Sequence, residues 1–509
     1  MVTLGMLLER LDVETVKGDC RPEMPVERIT SDSRQVAKGA LFTAVRGHVT
    51  DGHRFIGDAV TGGAGAVVCE ALPEDSGGGC PFIVVQDSRK AMAQIAKAFY
   101  RDTSDRLQII GVTGTNGKTT TARLMAAMMS GCGIATGYIG TGLAFAGEET
   151  IPLERTTPEA EELHRLFYMM AERGCKAVVM EVSSHALVLL RTYGIVFTGA
   201  VFTNLTQDHL DFHHTMEKYA AAKQMLFSAV APEGYVVVNA DDPWAGFMAG
   251  NRGSARLYCC TVGDKQFACK EGEEVRAKVV EADMQQTRVE VSVKGRSREG
   301  VFKLLGLYNV MNLLEVFASG VAMGLEPANV IRRLSWLSPV EGRMEIIRDT
   351  TGDFCAVVDY AHTPDALEKV IGELNNLKPE GAALAVVFGC GGNRDREKRS
   401  KMGEIAAKKA DRVIITSDNP RDENPESILD HIAEGLASAS YMRFGDRAEA
   451  IRCGVNLLKK GDMLLVAGKG HETYQESAGA RRYFSDRETA RKALLARSSN
   501  CKGRTNECQ

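Results

Sequence analysis

The segment GVTGTNGKTT at residues 111–120 decides the fold of this chain. The apolar run LQIIGV (107–112) leads into it and predicts a buried parallel strand, and TTTARLMAAMMS (119–130) leads out of it and predicts a helix. A glycine-rich turn between a strand and a helix presents backbone N–H groups to an anion, and the helix N-terminus adds partial positive charge. The segment therefore predicts a phosphate-binding loop. In that loop Lys118 would reach the β- and γ-phosphates of a nucleotide, and the Thr119 hydroxyl would ligate Mg²⁺.

The glycine spacing of this loop departs from the common G-x4-G-K-[ST] pattern. Five residues separate Gly111 from Gly117, and two separate Gly114 from Gly117. The alternative interpretation is a glycine-rich turn that happens to contain a lysine. The strand before the loop and the helix after it favour the phosphate-binding interpretation.

The chain around the loop divides into three blocks, at residues 1–105, 106–338 and 339–509. In the central block, strand candidates alternate with helical stretches, which is typical of a parallel α/β sheet. Residues 255–305 differ, because RVEVSV (288–293) alternates polar and apolar side chains, and they predict an antiparallel insert or edge.

The third block repeats one pattern, an apolar strand followed by a polar loop with glycine or proline. The three copies are ALAVVFGCGGNRD (383–395), DRVIITSDNPR (411–421) and DMLLVAGKGHE (462–472). Ligands of open α/β sheets bind beyond the carboxyl ends of the strands, so these loops are candidate binding loops.

Composition excludes several classes of function. The 509 residues contain 62 Lys and Arg against 66 Asp and Glu, a net charge of −4, which argues against a nucleic-acid-binding protein. The 13 cysteines form no C-x-x-C pair, which indicates reduced thiols. No apolar run approaches about 18 residues, and the N-terminus has no signal-peptide core. We expect a soluble cytoplasmic protein that binds no nucleic acid and does not insert into a membrane.

Acidic and imidazole side chains follow two strand candidates of the central block. Glu181 ends KAVVME (176–181), and TNLTQDHLDFHH (203–214) concentrates aspartates and histidines. The i,i+4 pair His209 and His213 makes a zinc site one interpretation, and a solvated polar loop is another. The lack of an HExxH motif and the position after a strand favour a role with magnesium.

Several motifs, in order along the chain, resemble the Mur ligases, from about residue 28 to 490. The central and C-terminal motifs are GTNGKTT, EVSSHAL (181–187), TNLTQDHLDFH (203–213), YAAAK (219–223), GLYNVMN (306–312), GRME (342–345) and DYAHTPDAL (359–367). SDSR (31–34) and GHVTDGHRFI (47–56) resemble the member of the family that adds the third amino acid, and DNPRDENP (418–425) resembles the branch of that member that adds meso-2,6-diaminopimelate.

This resemblance implies an α/β protein of three domains. A smaller N-terminal α/β domain (1–105) would hold the UDP moiety of UDP-MurNAc. A central P-loop, parallel-sheet domain (106–338) would hold ATP, and a Rossmann-like C-terminal domain (339–509) would hold the amino acid. The implied reaction joins UDP-MurNAc-L-Ala-D-Glu to meso-diaminopimelate with ATP and Mg²⁺, through an acyl phosphate. A monomer is expected.

The resemblance also assigns site residues. Lys118, His209 and Lys223 are the catalytic candidates, with Lys223 carbamylated. Without the resemblance Lys223 would be interpreted as a helix-surface lysine, and DYAH as a strand-end turn with a satisfied histidine. The ATP-binding candidates are Gly114, Thr115, Asn116, Gly117, Lys118, Thr119, Thr120, Asn309, Arg343, Asp359 and His362. The magnesium candidates are Thr119, Glu181, His209 and carbamylated Lys223.

Two further sets of candidates bind the other substrates. Those for UDP-MurNAc-dipeptide are Ser31, Ser33, His48, Val49, Thr50, Thr156, Thr157, Ser183 and Arg191. Those for meso-diaminopimelate are Arg394, Asp418, Asn419, Pro420, Arg421, Gly468 and Glu472.

The second carboxylate of meso-diaminopimelate calls for an arginine, because a planar guanidinium pairs bidentately with carboxylate. Arg421 is the main candidate, and a surface arginine paired with Asp422 or Glu423 is the alternative interpretation.

Rival functions remain open at this point. A folylpolyglutamate-type ligase shares the central chemistry but is disfavoured by SDSR and DNPR, and a lysine-adding relative is disfavoured by Arg421. A catalytically silent relative would have lost Lys118, Glu181, His209 or Lys223, and all four are present. Charge balance disfavours a nucleic-acid-dependent ATPase, and GCGG is not the G-x-G-x-x-G motif of a dinucleotide oxidoreductase.

Overall fold

The computed structural model describes residues 1–47, 50–73, 79–263, 271–437 and 439–505, with side chains to residue 498. Its architecture is mixed α/β, with three main sheets that follow one another along the chain. The predicted fold class is confirmed. His48 and Val49, two of the predicted substrate contacts, lie outside the described residues.

The first sheet has the order β1-β5-β4-β3-β2 and is parallel except for the pairing of β1 with β5. Its strands are β1 (Val13–Lys17), β2 (Ile29–Thr30), β3 (Leu41–Thr43), β4 (Ala66–Cys69) and β5 (Phe82–Val85). The helices of this segment are α1 (Leu4–Leu8), α2 (Ile56–Thr61) and α3 (Ser88–Phe99). Strands β3, β4 and β5 are buried throughout, as expected for strands covered on both faces.

The central sheet has the order β16-β15-β14-β13-β12-β11-β6-β10-β7-β8-β9. Its strands are β6 (Gln108–Thr113), β7 (Thr136–Gly140), β8 (Leu143–Ala146), β9 (Glu149–Pro152), β10 (Ala177–Glu181), β11 (Phe197–Phe202), β12 (Val230–Asn239), β13 (Arg256–Val262), β14 (Glu273–Ala282), β15 (Thr287–Val293) and β16 (Arg296–Phe302). Its helices are α4 (Lys118–Gly131), α5 (Ala160–Glu172), α6 (Ser184–Val188), α7 (Leu210–His213), α8 (Met216–Ser228), α9 (Ala245–Ala249), α10 (Leu307–Ala322) and α11 (Pro327–Ser335).

Strand β6 lies in the interior of this sheet, between β11 and β10, and is buried on both faces. Ile110 and Val112 pack with α4 and α10 on one face, and Ile109 packs on the other face with Phe167 of α5. Two apolar layers therefore fix β6 between β10 and β11, with which it pairs in parallel. The ends of β6, β10 and β11 consequently lie side by side, at the edge where the phosphate loop begins.

The prediction of an antiparallel segment at 255–305 was partly wrong. Strand β13 pairs in parallel with β12, and β14 pairs in parallel with β13. Among the described residues of this segment, the antiparallel pairings are those of β14 with β15 and of β15 with β16. The reason is visible in β13, whose central residues are buried, so it extends the covered parallel sheet. The alternation used for the prediction belongs to β15, in which one face is buried and the other is partly exposed.

The third sheet has the order β17-β18-β22-β19-β20-β21 and is parallel except for β17. Its strands are β17 (Glu345–Arg348), β18 (Cys355–Asp359), β19 (Leu384–Phe388), β20 (Arg412–Thr416), β21 (Tyr441–Phe444) and β22 (Met463–Ala467), and a separate hairpin holds β23 (Tyr474–Ser477) and β24 (Ala480–Tyr483). The helices are α12 (Pro364–Leu377), α13 (Glu397–Lys409), α14 (Pro425–Leu436), α15 (Arg447–Leu457) and α16 (Asp486–Thr505).

The three strands predicted from the repeated pattern are β19, β20 and β22. They are neighbours in the sheet and run in parallel, so the polar loops after them meet at one edge, as predicted. In the part of the chain that the structure describes, no helix has the length and apolarity needed to cross a membrane.

Candidate active site

The phosphate loop curls around its own lysine. Strand β6 ends at Thr113 and α4 begins at Lys118, whose ammonium donates to the carbonyl oxygens of Gly114 at 2.9 Å and Thr115 at 2.8 Å. Gly114 (φ +155°) and Gly117 (φ +86°) have no alternative residue, since an added Cβ would lie 1.9 Å from Thr203 Oγ1 and 2.6 Å from Asn312 Oδ1. The unusual glycine spacing therefore has a steric cause in the segments packed against the loop.

Glu181 ends β10 beside this loop and is fully buried. Its carboxylate accepts hydrogen bonds from Tyr138 Oη (2.7 Å), Thr119 Oγ1 (3.0 Å) and the Thr141 N–H (2.9 Å). Arg343, from the segment before β17, donates to the same Thr119 hydroxyl at 3.1 Å. Oxygen ligands suited to Mg²⁺ are therefore adjacent, and a cation from the third sheet's segment reaches them.

Asp208 and His209 lie at the edge of the same cavity. The backbone of His209 is left-handed (φ +55°), and its Nε2 lies 3.4 Å from Asp208 Oδ2. Burial lowers the pKa of His209 to about 3, and the positive charges of Lys223 and Lys118 act in the same direction while Asp208 opposes them. The imidazole is therefore neutral, which is the form that binds a metal ion.

Lys223 is not a surface lysine. It lies on α8, is 1% exposed, and donates to the Gly114 carbonyl oxygen at 2.8 Å. Burial lowers its pKa well below the ordinary value, and the charge of Lys118 lowers it further. The interpretation of Lys223 as a helix-surface residue is wrong, and the side chain contacts the phosphate loop.

The zinc interpretation has no support in the geometry. The ring of His213 has a different polar partner, since its Nε2 lies 2.8 Å from Ser184 Oγ. Among the described residues no group of three His, Cys, Asp or Glu side chains is arranged to hold a metal ion.

The remaining ATP-binding candidates come from α10 and from the end of β18 in the third sheet. Asn309, in the first turn of α10, donates to the Leu305 carbonyl oxygen. Asp359 ends β18 and accepts from the N–H groups of Met344 and Ala361, and burial raises its pKa although Arg343 opposes the shift. His362 lies at the same strand end, and burial lowers its pKa to about 4. The two sheets therefore face each other across one cavity of about 940 Å³.

Most predicted nucleotide, metal and amino-acid contacts line this cavity, which we call the nucleotide cleft. They are Thr115, Asn116, Gly117, Lys118, Thr119, Thr120, Glu181, His209, Lys223, Asn309, Arg343, Asp359, His362, Arg394, Asp418, Asn419, Arg421, Gly468 and Glu472, with Thr156 and Ser183 from the dipeptide set. Gly114, Thr157 and Pro420 do not line it. Gly114 nevertheless accepts from two lysines, and Thr157 is buried behind the wall, where it donates to the Glu181 carbonyl oxygen.

The amino-acid end of the cleft is built by the loops after β19, β20 and β22. Arg421 has a left-handed backbone (φ +52°) and donates to the Gly392 carbonyl oxygen at 2.7 Å. Its charged neighbour is Glu476, at 3.7 Å, and not Asp422 or Glu423, so the interpretation as a surface pair with those two residues is wrong. The fully buried Arg399 instead binds both carboxylate oxygens of Glu423 at 3.0 Å.

Sequence reasoning missed a buried lysine at this end. Lys469 is 0% exposed, and its ammonium lies 2.8 Å from Asn419 Oδ1 and 3.3 Å from Glu472 Oε2. It therefore orients two of the predicted amino-acid contacts. Its position inside GKGHE, between Gly468 and Glu472, was the available signal. Asp365 was also missed: it accepts from the Asn116 side chain of the phosphate loop at 3.0 Å.

A second cavity, of about 1350 Å³, lies between the first sheet's segment and α5. We call it the interdomain groove. Ser31, Ser33, Thr50 and Arg191 line it. Ser31 donates to Glu161 of α5 through its N–H (2.9 Å) and its hydroxyl (3.4 Å). The groove therefore gathers the predicted uridine-side residues, with one dipeptide-side residue, at a distance from the phosphate loop.

A nucleotide cleft whose far end carries charged loops from a separate sheet is the arrangement of an enzyme that joins two substrates with ATP. The sequence matches three family descriptions: "Mur ligase family, catalytic domain" at 25–100, "Mur ligase middle domain" at 112–320, and "Mur ligase, glutamate ligase domain" at 342–470.

Curated relatives agree. The chain is 53% identical over 488 residues to the UDP-N-acetylmuramoyl-L-alanyl-D-glutamate--2,6-diaminopimelate ligase of Chlorobaculum tepidum, covering 96% of this chain and 95% of that protein. It is 50% identical to the protein of the same name from Chlorobium phaeobacteroides, covering 99% of this chain and 100% of that protein. A solved structure of a ligase of that name superposes with a TM-score of 0.67 and 32% identity, covering 97% and 99% of the two chains.

The chain therefore belongs to the Mur ligase family. Members of this family catalyse ATP-dependent ligation in peptidoglycan precursor synthesis, and the chain is an ATP-dependent ligase of that synthesis.

Proposed function

We propose that this ligase adds meso-2,6-diaminopimelate to UDP-N-acetylmuramoyl-L-alanyl-D-glutamate, with ATP and Mg²⁺. The observation that carries the proposal is that Arg394, Arg421, Asn419 and Glu472 all line the nucleotide cleft. The two guanidinium groups suit carboxylates, and the Glu472 carboxylate with the Asn419 amide suits an ammonium group. An amino acid with a second carboxylate fits this set better than lysine does.

We infer three functional segments. Residues 1–105 with α5 hold the UDP-sugar in the interdomain groove, 106–338 hold ATP, and 339–509 hold the amino acid. Contacts of Arg343 with Thr119 and of Asp365 with Asn116 support a closed arrangement in which the last segment completes the ATP site. The predicted cytoplasmic location and monomeric state remain predictions.

The donor set beside the phosphate loop fits Mg²⁺. Thr119 and Glu181 offer oxygen ligands, and His209 offers the nitrogen of a neutral imidazole. A bound Mg²⁺ would neutralise phosphate charge in both half-reactions. Lys223 is a further ligand if it is carbamylated: its lowered pKa supports a free amine, which adds CO₂ with loss of one proton.

The chemistry has two steps. A carboxylate oxygen of the D-Glu residue attacks the γ-phosphorus, and the bond to the β-phosphate oxygen breaks, so ADP leaves with that electron pair. The diaminopimelate amine then bonds to the acyl carbon, and phosphate leaves with the electrons of the carbon–oxygen bond while the nitrogen loses one proton to solvent. Lys118 and Arg343 offset the negative charge that both steps gather.

The test is phosphate release by the purified protein with ATP, Mg²⁺ and UDP-MurNAc-L-Ala-D-Glu, adding meso-diaminopimelate or L-lysine in parallel. We expect release with diaminopimelate and a kcat/KM for lysine lower by roughly 10⁴-fold, because a site built for a polar group rejects the analogue that lacks it. Equal turnover with lysine would contradict the role of Arg394 and Arg421 in selecting diaminopimelate, while the ligase activity itself would stand. No release with either amino acid would contradict the proposed reaction.

A further inference from the structure

Helix α13 carries one basic side chain without a partner. Arg399 binds Glu423, Lys401 donates to Gln207, Lys408 pairs with Glu404 and Lys409 pairs with Glu368. Lys398 makes no hydrogen bond or ion pair with any residue the structure describes, although it is only 8% exposed. A buried ammonium without a counter-charge costs several kcal/mol, so an unpaired one at this depth implies an anion supplied from outside the chain.

The position of Lys398 indicates that this anion is part of a substrate. Its side chain lines the nucleotide cleft together with residues of the phosphate loop and of the amino-acid loops. Its charge acts on His362, on Asp208 and on Cys390. It contributes to lowering the pKa of His362 and Asp208, and it opposes the rise that burial causes in the pKa of Cys390. The nearby Asp208 is already engaged, since it accepts from the His209 N–H at 2.9 Å and faces the His209 ring.

Two anions can reach this part of the cleft. The carboxylates of the amino acid have Arg394 and Arg421, which lie on the loops after β19 and β20. The phosphoryl group that passes from ATP to the substrate has Lys118 of the phosphate loop and Arg343, which donates to Thr119 beside that loop. A further cation on α13 would add to the positive charge around the phosphoryl group. The carboxylates of the amino acid do not need it, because two guanidinium groups already serve them.

We propose that Lys398 is a catalytic residue that binds the phosphoryl oxygens of the acyl phosphate. It stabilises the charge that builds on those oxygens when the amine attacks the acyl carbon and phosphate departs. Because α13 belongs to the segment that binds the amino acid, closure of that segment brings this charge to the reacting group. This inference rests on the proposed ligase reaction.

The test compares Lys398→Met and Lys398→Arg with the wild-type protein, and uses Lys408→Met as a matched control on the exposed side of the same helix. We expect Lys398→Met to lower kcat about 10²- to 10³-fold, as for loss of one oxyanion donor, with KM for each substrate within about threefold. Lys398→Arg should recover at least about tenfold of the loss, and Lys408→Met should stay within about twofold of wild type.

A second measurement separates the two half-reactions. Hydroxylamine traps an acyl phosphate as a hydroxamate, so it reports intermediate formed before the amine attacks. We expect Lys398→Met to form hydroxamate in the absence of amino acid at a rate reduced less than phosphate release with amino acid. The thermal midpoint should not fall, since the variant removes an unpaired buried charge.

Three results would overturn the assignment: an unchanged kcat, a rise confined to KM for diaminopimelate, or a lowered thermal midpoint that Lys398→Arg does not restore. The first means that Lys398 does not touch the reacting group, the second that it binds amino acid, and the third that it is structural. Failure of the wild-type protein to turn over with diaminopimelate would instead overturn the proposed function, so the two failures are distinguishable.

Discussion

The nucleotide cleft and the interdomain groove hold their polar groups in opposite ways. In the cleft, Glu181, Lys223 and Asn309 are at most 2% exposed, and each is fixed by hydrogen bonds to other protein groups. In the groove, Arg34 and Arg155 have side chains that are 86% and 51% exposed. The charges of Glu181 and Lys223 are therefore desolvated and strong, and those of Arg34 and Arg155 are screened by water.

This difference sets how much one substitution can change. Removing a buried, oriented charge leaves its partners unsatisfied, and no water can replace it. Removing an exposed charge leaves a solvated surface that rearranges, and exposed ion pairs contribute little. We therefore expect large effects in the cleft, smaller ones at the amino-acid loops, and the smallest in the groove.

The largest effect is expected for Lys118→Met. The substitution removes the ammonium that the phosphate loop encloses through the Gly114 and Thr115 carbonyl oxygens, while the side-chain length is kept. We expect kcat/KM for ATP to fall about 10⁴-fold, because phosphoryl transfer depends on fixed positive charge. Steady-state phosphate release measures it. The exposed Lys460, which pairs with Asp353, provides the control substitution Lys460→Met, and a loss of less than about tenfold for Lys118→Met would contradict the strong-charge description of the cleft.

The next largest effect is expected on the free energy of unfolding, from a buried ion pair in the segment of the third sheet. Arg447 and Asp486 are both 0% exposed in their side chains and form two hydrogen bonds of 2.7 Å, and Arg447 also donates to the Ala467 carbonyl oxygen. Arg447→Met leaves the Asp486 charge buried alone, at a cost of about 3–5 kcal/mol in the free energy of unfolding. Urea unfolding followed by fluorescence measures this change.

The exposed pair of Arg34 and Asp32 is the groove's counterpart to that buried pair. Arg34→Ala should leave the unfolding transition where it is, since the pair is solvated. Similar destabilisation by the two substitutions would show that burial does not separate the two regions.

A smaller effect is expected at the amino-acid loops for Arg421→Ala. Because Arg421 is 23% exposed and holds its loop through the Gly392 carbonyl oxygen, we expect KM for diaminopimelate to rise about 10²-fold with KM for ATP nearly unchanged. Arg481 approaches the same Glu476 but is 55% exposed, so Arg481→Ala is a matched control. Initial rates with each substrate varied in turn measure both variants, and an equal rise for the two would remove Arg421 from the specificity site.

The sequence predicts the cleft better than the groove, because most cleft residues stand in local motifs and the groove depends on contacts between distant segments. The cleft could be predicted because its residues stand in short motifs at strand ends, and β6, β10, β11, β19, β20 and β22 all appear as apolar runs. Lys223 and Lys398 could not be recognised as buried from their helices, since burial there comes from segments distant in the chain. The partner of Ser31 is Glu161, which lies 130 residues away on α5, and no local pattern indicates that pairing.

The smallest effect, and the one specific to the groove, is a pH dependence from Glu161. Burial raises the pKa of this carboxyl from 4.5 to about 7, although the Ser31 N–H and hydroxyl oppose the shift. Below pH 4.5 the folded and unfolded chains both hold the proton, so burial costs nothing. Above it the unfolded chain ionises first, and stability is lost as the pH rises until the folded carboxyl also ionises, near pH 7.

Glu161→Gln keeps the acceptor for Ser31 and removes the titration. At about pH 4.5 the free energy of unfolding of this variant should match that of wild type. At about pH 8 it should be higher by an amount on the order of 1 kcal/mol, which is small because the groove is open to solvent. The thermal midpoint at each pH reports the difference. Glu172→Gln, at an exposed position of the same helix, should show no such crossover. If Glu161→Gln is instead less stable than wild type at the higher pH, the ionised Glu161 carboxylate stabilises the folded protein. The groove would then hold this charge as strongly as the cleft holds its charges.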